Sequence, residues 1–201
     1  MAISNGYASL SDVKAALRIS DAVDDALLEL SIESASREID GYCQRTFYNG
    51  GTAIRYFSAD DSYTVTVDDI QSVSELATSV ENLNFGTVWK ANDYQLEPLN
   101  GIRGGIDQPF TQIRAIGDFL FPTFTTVPQG EATVRVTGVW GWDKPPTAIR
   151  QATIILASRH FKRYDSPLGV AGFGDLGAIR VGRVDPDVEA LISPFRKMSA
   201  A

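Results

Sequence analysis

Between residues 10 and 48, apolar side chains recur at every third or fourth position. Leu10, Val13 and Leu17 fall on one helical face, and Ser9 followed by Asp12 is the pattern of a capping box. The spacing therefore predicts a short helix that ends near Ile19. Leu28, Ile32, Ala35, Ile39 and Tyr42 repeat the pattern over a longer stretch, with the acids of 21–25 placed to cap its start. That stripe requires a partner surface.

From residue 54 the period changes from 3.6 to 2. Short runs bounded by turn residues occupy 54–57, 63–67, 72–76, 87–89, 94–97, 113–116 and 133–139, with clear alternation in TVTV and TVRVT. No helical crossover separates them, so the sheet they predict is antiparallel rather than doubly wound. Pro145-Pro146 then opens a helix over 147–164 whose middle is apolar on nearly every side. Such a helix belongs at the centre of a core, packed on one side by the helix of 24–43. Asp185-Pro186-Asp187 starts a brief last helix through Val188, Leu191 and Ile192, and 197–201 carry no apolar pattern.

The fold class is thus α+β, a small helical bundle with an inserted antiparallel β lobe and a glycine-rich C-terminal arm. Within one domain of residues 1–201, the N-terminal helices take 1–48, the β insertion 49–143, the apolar helix 144–164, and the arm with its short helix 165–201. The arm reads DSPLGVAGFGDLGAIRV from residue 165, with glycines at 169, 172, 174 and 177. Ordering such glycines costs about 0.5–1 kcal/mol each, so compensating contacts must come from outside the segment. Leu168, Val170, Phe173, Leu176, Ile179 and Val181 make it too apolar for a solvated linker, and Asp175, Arg180 and Arg183 add charge. These nine residues are the candidate contacts to a neighbouring protein chain.

A chain of 201 residues with 44% hydrophobic and 21% charged residues can bury one sizeable core. Its longest strongly apolar run, 152–157, is far below the roughly 20 residues that span a bilayer, and the N-terminus has no signal layout. We therefore expect a protein made and used in cytosol, with no membrane partner. One cysteine, Cys43, excludes an internal disulfide framework and reads as a small buried residue near a helix end. The net charge of -7 argues against a free-standing nucleic-acid binder, although not against a pore that DNA traverses. Charge is unevenly placed: residues 46–143 hold 12 acids and 5 bases, and 144–164 hold 5 bases and no acid. A ring of such chains presents one acidic and one basic surface.

Catalytic chemistry is hard to find. Residues 172–177 match GxGxxG, but a helix precedes them and a strand-like run follows, the reverse of a dinucleotide site. The pairs Asp60-Asp61 and Asp68-Asp69 lie at expected strand edges, where aspartate serves turns. His160 is the only histidine and falls in a basic helix end, RHFKR. Trp140-Gly141-Trp142 reads as an aromatic plug where sheet gives way to helix. No catalytic residue, cofactor or metal is expected.

The order of elements, together with LSDVKAAL (10–17), IESASREIDGYCQRTFY (32–48), VTGVWGWDKPP (136–146) and RQATIILASRHFKRYDSPLGVAGFGDLGAIRV (150–181), resembles the head-to-tail connector (adaptor) proteins of long-tailed double-stranded DNA phages, most of all those of phages of actinobacteria. The likeness runs from about Tyr7 to Arg196. It implies a structural virion protein and not an enzyme: a homo-oligomeric ring, commonly of twelve copies, seated under the portal and joined below to neck or tail-terminator proteins. It implies a place in the virion neck, reached from the host cytoplasm during assembly, and a C-terminal region that reaches toward the portal. Genomic DNA would pass through the ring during ejection without sequence-specific binding. Two other readings stay open at this level: a different phage neck or tail binding module, and a metal-assisted hydrolase built on the paired aspartates.

Overall fold

A computed structural model describes residues 3–81, 83–123, 131–164 and 185–197. The chain divides into two compact units, one drawn from Met1–Tyr48 and Lys144–Ala201, the other from Asn49–Asp143.

The helical unit begins with α1, Leu10–Leu17, where Ser9 Oγ accepts from the Asp12 N–H at 3.2 Å and Asp12 Oδ2 accepts from the Ser9 N–H at 3.0 Å. This reciprocal pair satisfies two of the donors that every helix start leaves open. Helix α2, Asp25–Cys43, buries Leu28, Ser31, Ile32, Ala35, Ser36, Ile39 and Cys43 along one stripe. Acids stand at its start as expected, Asp24 at the cap and Asp25 in the first turn, but without a side-chain cap bond. Asp21 receives the Val23 N–H, and Asp25 pairs with Lys14 at 2.6 Å. The lysine of α1 outcompetes the helix start because it brings a full charge rather than a partial one.

Helix α3, Thr147–Tyr164, packs against α1, α2 and the short α4, Pro186–Ile192. It buries Ile149, Ala152, Thr153, Leu156 and Ala157, while Ile154 and Ile155 stay half-buried. Its burial is therefore a stripe and not the full circumference that the apolar sequence led us to expect. Past α2, Phe47 is fully buried with Tyr7 and Phe195 edge-on to its ring at 5.7 and 5.8 Å. The Tyr7 hydroxyl accepts the Phe47 N–H at 2.8 Å and donates to Asp40, which Arg37 holds from the other side at 3.0 Å.

The second unit is an antiparallel sheet. Strands β1 (Asn49–Phe57), β2 (Thr64–Thr78), β3 (Thr87–Trp89), β4 (Tyr94–Glu97), β5 (Ile102–Arg103), β6 (Ile106–Asp107), β7 (Phe110–Ala115) and β8 (Val134–Gly141) follow in chain order. The main sheet runs β1-β8-β2-β7-β4, with β3 also on β2, and β5 and β6 form a separate hairpin. Gly104 and Gly105, at φ +59° and +78°, make the two-residue turn of that hairpin. The α+β class is as the sequence predicts.

The runs at 63–67 and 72–76 are one continuous strand, β2, not two. Its first half pairs with β7 and its second with β8, with register irregularities between Thr66 and Ile70, Ile70 and Ser72, and Val73 and Glu75. At one of these Gly138 of β8 comes so close that a Cβ there would lie 2.3 Å from Ser72 O. Val65, Val67, Ile70, Leu76, Trp89, Ile113, Phe121, Val134, Val136 and Trp140 form the core, with Trp89 and Phe121 stacked at 4.6 Å.

Candidate interaction surfaces

All nine contact residues expected from the sequence, Leu168, Val170, Phe173, Asp175, Leu176, Ile179, Arg180, Val181 and Arg183, lie outside the described residues, as does the GxGxxG match. The flanks of that segment are described. Helix α3 ends at Tyr164, and Asp185 caps α4 by accepting the Asp187 N–H at 3.0 Å.

Between α2, α3 and α4 lies a cleft of about 680 Å³ including its open mouth. Ile39, Leu156, Val188 and Ile192 line its apolar part. Polar contacts hold its rim: Arg159 pairs with Asp185 at 2.8 Å, His160 Nε2 hydrogen-bonds Glu38 at 3.0 Å, and the Tyr42 hydroxyl donates to Glu189 at 3.1 Å. His160 is thus partnered by an acid of α2, which sequence spacing within α3 alone gave no means of seeing. Nearby, burial pushes the Cys43 thiol up to about 12, and its Sγ lies 3.7 Å from the Ile192 carbonyl oxygen. A thiol so held is a packing residue rather than a nucleophile.

In the sheet unit the aspartate pairs are spent on structure. Asp61 accepts the N–H groups of Tyr63 and Thr64 at 2.6 and 2.8 Å, which hold its carboxyl below the usual range, and Asp60 accepts from Thr66 at 2.6 Å. That is the expected turn chemistry. Asp68 and Asp69, however, sit inside β2 rather than at a strand edge. Asp68 pairs with Arg55 of β1 at 2.6 Å, and Asp69 is buried, accepting from Trp142 Nε1 at 3.0 Å. Strand neighbours supply partners that a reading of local turn propensity does not anticipate. Among the described residues no group of three or more His, Cys, Asp or Glu side chains is placed to hold a metal ion. Trp140 is fully buried in the sheet core and donates to the Ala53 carbonyl at 2.8 Å, so neither tryptophan offers a free stacking face of the kind that binds bases or sugars.

The most open backbone of this unit is β1. It pairs with β8 along one side only, and all its residues from Asn49 to Ile54 are exposed. Ile54 and Tyr56 show 55% and 57% of their surface, and Tyr56 tilts against Phe85 at 5.4 Å. The period-2 pattern in the sequence starts only at 54, whereas the strand begins at Asn49. A bulge between Asn49 and Gly51, the latter at φ +71°, lets pairing continue to Gly141. No helix among the described residues is long and apolar enough to cross a membrane.

The described aspartate pairs are thus committed to turns and strand pairing. Residues 7–93 match the sequence model of the phage gp6-like head-tail connector proteins. The resemblance to connector proteins read from the sequence is thereby borne out over residues 7–93, somewhat less than half of the chain. Similar folds occur in a chain from the neck of an empty gene transfer agent particle computed with C6 symmetry (18% identity, 100% of this chain and 95% of that chain, TM-score 0.58). They occur also in the neck of the native particle computed with C12 symmetry (18%, 100% and 94%, TM-score 0.57) and in the virion of the native particle (19%, 100% and 95%, TM-score 0.57). No curated protein matches the chain significantly.

Proposed function

We propose that this chain is a structural subunit of a virion neck, where copies close into a ring that joins the DNA-filled head to the tail. The observation that carries this reading is the match of residues 7–93 to head-tail connectors. The likeness in fold to neck chains of particles with C12 and C6 symmetry agrees with it. Twelve copies sit under the portal, bind neck or tail-terminator proteins below, and lengthen the channel for DNA. The residues at 168, 170, 173, 175, 176, 179, 180, 181 and 183 contact the portal or the next subunit.

The chemistry supports the division of labour. Nothing needs to be turned over, and the described aspartate pairs are committed to turns and strand pairing. An excess of acids in 46–143 lets DNA slide past without sticking wherever that part faces the channel. Repetition of modest contacts round a closed ring gives avidity without a large single interface. Particles assembled without this chain test the reading: filled heads and separate tails are expected, and complete infectious particles would contradict it.

A further inference from the structure

The outer edge of β1 is a nine-residue row whose backbone N–H and C=O groups have no strand partner among the described residues. The opposite edge, β4, is four residues long and half-buried. Natural sheets guard a long edge with proline, lysine or inward charge. Strand β1 contains no proline or lysine, and its one charge, Arg55, is already neutralised by Asp68 at 2.6 Å. Its only register irregularity is the bulge at Asn49/Gly51, and 52–57 pair with β8 without interruption. Just past the strand come Asp60 and Asp61, and Glu131 is tied there by a 2.9 Å bond from Ser58 Oγ to its carbonyl oxygen. The far end of the edge is therefore negative.

The chain also has 20 residues, 165–184, between the end of α3 at Tyr164 and the cap of α4 at Asp185. Fully extended they span about 65–70 Å, enough to leave one subunit and return. Within them residues 178–183, AIRVGR, carry three apolar side chains, two arginines and no acid. We propose that the β1 edge receives residues 178–183 of a neighbouring copy as an added strand. The proposal rests on the ring reading above. Backbone bonds supply the affinity of such strand addition, and the arginines meet the acids at the end of the edge. Because residue 183 is two positions from Asp185, the donor's α4 start lies against the acceptor's sheet. Each subunit then gives one strand and takes one, which is the head-to-tail contact a closed ring requires.

The test uses the full chain mixed with its portal ring. Ile54→Cys, at a position 55% exposed and so tolerant of change, is combined in turn with Ile179→Cys, Arg180→Cys and Val181→Cys. Cys43 is retained, being buried. Facing residues of an added strand lie about 4.5–5.5 Å apart at Cα, within disulfide range. Oxidation is expected to give a ladder of covalently joined chains, strong for 179 and 181 and weak for 180, or the reverse, since alternate side chains share a face. Rings that run as single chains after oxidation, cross-links confined to one chain, or equal yield at all three positions would overturn the proposal. Particle mass, read on the same samples, separates the two readings. Rings without a ladder sink the added strand alone, and a chain that never forms rings sinks both.

Discussion

Arg150 of α3 grips Asp12 of α1 with two hydrogen bonds, Nε to Oδ2 at 3.0 Å and Nη2 to Oδ1 at 2.5 Å. The same carboxylate closes the capping box on Ser9, so one side chain both starts a helix and ties it to another. The arginine holds the Asp12 carboxyl down, from 3.8 to about 2. A folded-state value below the unfolded one means stability that is present above pH ~4 and lost as pH falls toward 2. Asp12→Ala is expected to cost about 1 kcal/mol through loss of the box, and to flatten the acid limb of the stability profile. Urea unfolding at pH 7 and pH 2.5 checks both, and an unchanged acid limb would refute the assignment.

Gly138→Ala should be severely destabilising. The new Cβ would lie 2.3 Å from Ser72 O, a backbone atom in a paired strand that cannot swing aside. The cost expected is about 3 kcal/mol or more, at or above the upper end for overpacking. Thermal unfolding reads it, and a melting temperature within a degree or two of the parent would show that the two strands do not approach this closely.

Tyr7→Phe removes the hydroxyl that accepts from the buried Phe47 N–H and donates to Asp40. Burial raises the Asp40 carboxyl, so its remaining partner Arg37 must carry more of its stabilisation once the tyrosine is gone. Leaving a buried N–H without its acceptor costs about 1–3 kcal/mol. Denaturant unfolding of the variant checks this, and a loss smaller than the error of the method would contradict it.

Cys43 should resist thiol reagents in the folded protein. Burial lifts its thiol to about 12, so the reactive thiolate is scarce at pH 8 and its surroundings are closed to reagent. Labelling with an aromatic disulfide is expected only after denaturation. Rapid labelling of the native chain would show that the end of α2 opens.

Much of this fold could be read from local pattern. The capping box at Ser9, the proline start of α3 and the short strands β3 and β4 fall where residue spacing puts them, because each is decided by neighbours within a few positions. What escaped depends on distant partners. Asp68-Asp69 looks like a turn but lies within β2, because Arg55 and Trp142 satisfy the two carboxylates from other strands. Strand β1 begins at Asn49, ahead of the apolar run at 54, because Gly51 adopts a positive φ inside a bulge and pairing continues past it. The Glu38 and His160 pair joins two helices 122 residues apart in sequence, a distance no periodicity encodes. The connector class was legible in the element order and motifs, whereas the candidate contact residues at 168–183 lie outside the described residues and stand as proposals.

The central claim is that this chain is a ring-forming connector, and particle mass in solution tests it most directly. The purified full-length chain is measured alone and after mixing with its portal ring. The account predicts that portal gains mass in a fixed multiple near twelve chains. A portal whose mass does not change, with the chain remaining free at every ratio, would contradict it.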